Sequence, residues 1–321
     1  MKRGVVATVV AGALVAAVAT VSWVALRGDV IPFLAPDECH ADVGGHTVVL
    51  EPSQARYAGL ITAIAVQRGL PARAASIALA TAYQESGLRN LEGGDRDSAG
   101  LFQQRPSQGW GSLEEVRDPV HAANAFYDAL EKVDGYEQLQ ITVAAQEVQR
   151  SGFPDAYADH EADARALASA LTGNSPEGFS CRLDDDPDEG AATLKGSGLT
   201  ARADAVRRDL VATFPDQGLG GFAPGGVSTG HMAGSAHYDG RAVDVFVRPI
   251  SPANRTRGWA IAAYLVSQAQ RLSIRTVIFD DRIWSSGDRS GDGWRDYDPP
   301  ERSGDPAILE HRDHVHVDVH E

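Results

Sequence analysis

From Ser53 onward the apolar residues fall at helical spacing: Tyr57, Leu60, Ile61 and Ile64 share one face, and Gly69 ends the run. A second helix is predicted to start near Pro71 and to carry Ile77, Leu79 and Tyr83 as far as Glu85-Ser86-Gly87, with Pro in its first turn and Gly just past its end. Helical periodicity resumes over 119–132, 139–150 and 159–171, so residues 51–172 read as an all-α unit. Residues 28–50, punctuated by Pro32, Pro36, Gly44 and Gly45, read as a spacer. Residues 173–199, rich in Asp, Glu, Gly and Pro, read as an acidic linker extended by its own repulsion. The pattern then mixes periods. Helices are predicted over 200–213 and 254–272, the second capped by Asn254, and strands over 243–247 and 276–284. The closing segment alternates strictly, with His314, His316, Asp318 and His320 on one face of a strand and Val315, Val317 and Val319 on the other. Residues 200–321 therefore read as an α+β unit.

The start of the chain has a different character. Lys2 and Arg3 precede an uncharged apolar run over 4–26, closed by Arg27. As a helix that run would measure about 34 Å, enough for a hydrocarbon core of roughly 30 Å. With the basic residues inside, the remainder lies outside the cytoplasm. Residues 1–27 are expected to be a membrane anchor; a cleaved signal segment leads to the same extracytoplasmic compartment. The expected fold class is thus multidomain: an all-α domain and an α+β domain, preceded by one N-terminal transmembrane helix. Two cysteines in an oxidising compartment, Cys39 and Cys181, invite a disulfide across the helical unit, the alternative being two buried thiols.

Of 321 residues, 43% are hydrophobic, which is globular composition and enough for two cores. A net charge of -15 argues against nucleic acid or anionic lipid as a ligand, since both demand a basic surface. A monomer is expected.

Six of the ten histidines follow residue 230. In SAHYDGRAVDV, His237 and Asp244 lie seven residues apart across a turn at Gly240, and the alternating terminal strand offers His316. Two imidazoles and a carboxylate suit Zn2+, whose catalytic sites leave a fourth position open, so His237, Asp244 and His316 are the candidate ligands. Asp313 is the candidate general base, and His314, about 7 Å along the strand from His316, is placed to touch substrate. The pattern Ser-x-His-x-x-Gly-x-Ala-x-Asp, met by Ser235, His237, Gly240, Ala242 and Asp244, and Asp-His-x-His, met by Asp313, His314 and His316, resembles the zinc D-Ala-D-Ala carboxypeptidases and VanY-type peptidases. That resemblance covers residues 200–321 and implies cleavage of the peptide stems of bacterial cell wall. Many such enzymes carry an Arg shortly before the first motif; this chain reads GGVSTGHMAGS there, which leaves carboxypeptidase and endopeptidase both open.

Glu85 sits in the last turn of an Ala-rich helix, where the dipole and apolar neighbours disfavour an anion, as a general acid requires; its bland reading is a solvated Glu at a helix end. QESGLRN followed by DSAGLFQQ resembles the soluble lytic transglycosylases and goose-type lysozymes. The resemblance covers 51–172 and implies that Glu85 is the catalytic acid, with Ser86 beside it and Ser98, Gly100, Leu101 and Gln103 forming the second motif. Trp110, in a Gly-flanked loop, is the candidate sugar-stacking face, and Asp95 or Asp97 could supply a second carboxylate. Together the two halves point to a bifunctional peptidoglycan hydrolase using Zn2+. The alternatives are a non-catalytic peptidoglycan-binding surface protein with structural zinc, or a metal-handling envelope protein.

Overall fold

A computed structural model describes residues 36–184, 190–299 and 304–321. The apolar run over 4–26 lies outside the described residues, and among those described no helix is long and apolar enough to cross a membrane. The expected fold class is corrected in its division into an all-α and an α+β domain. Glu38–Glu321 form a single compact unit of mixed α/β architecture, and no separate all-α domain stands apart within it.

The expected spacer is structured from Glu38 onward. Strands β1 (Glu38–Val43) and β2 (His46–Leu50) make a hairpin turned at Gly44-Gly45, both with positive φ, as a tight hairpin turn requires. β3 (Phe179–Arg182), inside the expected acidic linker, pairs with the other edge of β1. That register sets Cys39 opposite Cys181, and the two form a disulfide. Between β2 and β3 run the helices. They are α1 (Pro52–Gln67), α2 (Ala72–Ser86), α3 (Leu113–Arg117), α4 (Pro119–Leu130), α5 (Ile141–Gln149) and α6 (Glu161–Leu171). Glu51 and Gln54 cap α1 reciprocally, and Gly87, left-handed at φ +62°, ends α2.

The C-terminal half adds α7 (Ala201–Thr213), α8 (Pro252–Ser267), α9 (Ala269–Leu272) and α10 (Pro306–Leu309) to an antiparallel sheet. The sheet comprises β4 (Leu219–Gly220), β5 (Ala242–Phe246), β6 (Ile274–Phe279), β7 (Arg282–Ser285), β8 (Arg295–Asp296) and β9 (His314–Val319), in the order β4-β5-β9-β6-β7-β8. Two expectations shift. Ser251, not Asn254, caps α8, with Pro252 in the first turn. The single strand expected over 276–284 is a hairpin, because Asp280 and Asp281 both take positive φ and reverse the chain.

The halves share one core. α1 and α8 cross so closely that a Cβ on Gly59 would stand 2.0 Å from Ser267 Oγ, so only glycine fits. Trp284 Nε1 donates to Cys181 O (2.9 Å) and Trp294 Nε1 to Phe179 O (2.7 Å), tying β3 to the larger sheet. Val243, Val245, Val315, Val317, Val319 and Val277 are all buried in the core cluster that includes α8. Each such side chain contributes roughly 1.5–3 kcal/mol relative to an exposed one. Because strand side chains alternate, anchoring the valines turns Asp244, His314, His316 and Asp318 to the opposite face.

Candidate metal centre and the Glu85 site

β5 and β9 are neighbours with Asp244 directly opposite His316, which brings two side chains 72 residues apart in sequence together without any loop. Asp244 Oδ1 lies 3.1 Å from His316 Nδ1 and 3.2 Å from His237 Nε2, and the two nitrogens are 3.1 Å apart. All three residues are buried. His237 arrives from the turn before β5. Its Nδ1 is 2.8 Å from the Gly221 carbonyl, which can only accept, so the proton resides on Nδ1 and Nε2 turns its lone pair to the cluster. Gly221 has φ +79° and a Cβ there would meet the His237 ring at 2.3 Å; the glycine permits this approach.

Two imidazole nitrogens so close to one carboxylate oxygen need a proton or a cation among them. When no ion is bound, a proton on His316 would supply that charge. Burial lowers its pKa, but the carboxylates of Asp244 and Asp318 outweigh burial and raise it to about 9. Asp244, despite burial, is held well below the usual carboxylate range by hydrogen bonds to His237 and His316. The donor spacing of 3.1–3.2 Å is close to the value of about 3.3–3.4 Å expected for tetrahedral ligands 2.0–2.1 Å from one ion. The residues fit a metal.

His231 also belongs here. His231, His237 and Asp244 offer donor atoms within 4.8 Å of one another, a group that could hold a metal ion. The sequence reading passed over His231, which belongs to neither motif; its only signal is its place six residues before His237 in a glycine-rich stretch.

Asp313 has a different position from that of a base facing the cluster. Its Oδ1 is 2.7 Å from His314 Nδ1, and its Oδ2 accepts from Arg248 Nε at 2.6 Å. His314 Nε2 is then the free ring nitrogen, 3.9 Å from Asp244 Oδ1. Arg248, also absent from the sequence reading, stacks over Phe246 at 4.2 Å. His311 packs against His314 and His316; burial and then those rings depress its pKa to about 2, so it is neutral. The cluster lies in a cleft of 540 Å3 whose walls include Met232, Arg248, Arg275, Tyr297 and Ile308, a volume in the range of ligand sites.

In the other half, Tyr157 donates to Glu85 Oε1 at 2.7 Å. Ser86 Oγ donates to the carbonyls of Ala82 (3.0 Å) and Leu101 (2.7 Å), linking the end of α2 to the AGLFQQ loop. Ser98 Oγ donates to Gln103 Oε1 at 3.0 Å, and Gln103 Nε2 donates to Gly100 O at 3.1 Å. These polar groups brace one another. Asp97 serves the loop: it takes the Ser107 N–H at 2.8 Å and Arg105 Nε at 2.7 Å, contacts that hold its carboxyl far below the ordinary range. Trp110 lines a separate cleft of 850 Å3 with Lys132, Leu139, Val143, Glu147 and Arg150, a surface that does not include Glu85.

Comparison with known proteins bears on one half. No curated protein matches the chain. Residues 195–307 match the family model described as VldE, C-terminal domain. The match falls on the segment that carries the VanY-type resemblance and contains His231, His237 and Asp244, while Asp313, His314 and His316 lie beyond its end. It offers nothing for residues 51–172. The C-terminal half of this chain is thus similar to the VldE C-terminal domain family and can hold a metal ion at His231, His237 and Asp244.

Proposed function

We propose that the C-terminal half is a zinc-dependent peptidase acting on the stem peptides of bacterial cell wall. The observation that carries this reading is the convergence of His237 Nε2, Asp244 Oδ1 and His316 Nδ1 within 3.2 Å beside the Asp313–His314 pair. Two imidazoles and a carboxylate favour Zn2+ among common divalent ions. When bound, the ion supplies Lewis-acid polarisation of the scissile carbonyl. The chain's own residues do the rest. Asp313 fixes the Nδ1–H tautomer of His314, so that His314 Nε2 would take a proton from the water that attacks the scissile carbonyl and return it to the amine as the C–N bond breaks, as a carboxylate-oriented imidazole can. Arg248 holds Asp313 in its orientation through Oδ2.

We infer a second activity, on the glycan strand, from the Tyr157–Glu85 hydrogen bond and the Ser86–Leu101 link, which bring the two motifs of the transglycosylase resemblance together around a partly buried carboxyl. Cleavage of both components of one polymer supports peptidoglycan as the common substrate. The disulfide supports an extracytoplasmic location.

The test is digestion of purified sacculi by the full chain, followed by mass spectrometry of the released muropeptides. Peptide cuts that vanish in His316→Ala and glycan cuts that vanish in Glu85→Gln are the expected result. A protein that sediments with sacculi and releases nothing is a binder, and the hydrolase reading fails.

A further inference from the structure

His237 and Asp244 are shared by two sets of donors. One set, completed by His316, is spaced at 3.1–3.2 Å. The other, completed by His231, spans up to 4.8 Å. The His231 ring stacks on that of His237, centroids 3.9 Å apart and 21° from parallel, so it rides on a ligand's face rather than pointing to solvent. Its backbone is gripped at both ends by one side chain: Tyr238 Oη accepts from the His231 N–H at 3.1 Å and donates to the His231 carbonyl at 2.6 Å. The loop that carries it is hinged by Gly230 (φ +95°) and Gly234 (φ +75°), and both Cβ positions face open space. This loop is one wall of the cleft. Within the His231, His237 and Asp244 set, the widest donor pair would have to close by about 1.5 Å or less, with a turn of the stacked His231 ring, to reach tetrahedral spacing.

Resting on the metal reading above, we propose that His231 is a displaceable fourth metal ligand. With His237, Asp244 and His316 it closes the centre in the free protein; an incoming substrate takes its position while the glycine-hinged loop swings aside. Four protein donors make the closed arrangement typical of structural zinc, and three with one open place make the catalytic arrangement. The chain carries the donors for both. A substrate must then compete with His231, which lowers apparent affinity by the fraction of molecules that are open.

The full chain, stripped with a chelator, is reloaded with Zn2+ or Co2+. Metal affinity is measured by competition with a chromophoric chelator, and acetohydroxamate, a small metal-binding probe, is titrated against the Co2+ visible band. His231→Ala is expected to bind one ion about tenfold or more weakly than wild type and acetohydroxamate about tenfold or more tightly, as when a ligand occupying at least nine-tenths of molecules is removed. His231→Gln, which keeps the side-chain bulk, should shift both values the same way, and circular dichroism checks that each variant is folded. Unchanged metal and hydroxamate affinities in both folded variants overturn the proposal. If wild type binds neither ion, the metal reading itself falls and this proposal falls with it; if wild type binds and only the His231 effect is missing, the metal reading stands alone.

Discussion

Lowering the pH from 9 to 7 should weaken zinc capture by about 50-fold, because the proton on His316 and the ion compete for the same nitrogen. His316 Nδ1 faces Asp244, its Nε2 lies 3.4 Å from Asp318 Oδ2, and the two carboxylates raise its pKa to about 9 against the opposing effect of burial. One proton must leave for one ion to bind, so the affinity changes about tenfold per pH unit below that value and levels off above it. Asp244 adds nothing to the slope, since its carboxyl is held well below the range tested. The assay is chelator competition at half-unit steps from pH 6 to 10, with calorimetry in two buffers of different ionisation enthalpy to count the released proton. Asp318→Asn removes one of the two stabilising carboxylates and should move the break to lower pH. For the metal-free fold the sign is opposite: a raised imidazole pKa contributes stability that is full below about pH 6.5 and is lost as pH rises through about 9. A metal affinity that is flat from pH 6 to 9, or that breaks near 6.5, refutes the reasoning, because His316 would then not be held protonated by its carboxylates.

Replacing Cys39 and Cys181 together by Ser frees a loop of sequence separation 142, and should lower unfolding free energy in urea by about 2–5 kcal/mol. Gly59→Ala inserts a methyl where Ser267 already stands, and should cost about 1–3 kcal/mol in the same assay; a neutral result would mean that α1 and α8 do not pack as described. Asp313→Asn should leave zinc affinity unchanged while slowing stem-peptide cleavage by about 10^2–10^4 and altering its pH profile, since it disturbs the tautomer of His314 rather than a ligand.

The sequence carried the chemistry of the centre better than its boundaries. The alternation in HVHVDVH reveals which face of β9 is polar, because period two is local; that Asp244 stands opposite His316 depends on strand register, which only the paired sheet determines. The role proposed for Asp313 likewise depends on a partner distant in sequence. Nothing local announces that Arg248 occupies its second oxygen. His231 escaped because a ligand on a glycine loop has no periodicity to mark it. In the N-terminal half the helices follow their caps and apolar faces, yet the β1–β2 hairpin looks like a spacer because its strands are short and its turn is Gly44-Gly45. β3 lies in a stretch whose acidity suggests a linker, and its place is settled by pairing with a strand some 140 residues earlier, the separation closed by the disulfide. These long-range pairings make one body of what reads as two.

The centre is tested most directly by metal analysis of the full chain after dialysis against zinc and gel filtration. One zinc per folded wild-type chain, reduced to background in His316→Ala and in Asp244→Asn with circular dichroism unchanged, is the result expected. Wild-type chains without stoichiometric zinc, or folded variants that keep it, would contradict the grouping of β5 and β9 around one ion.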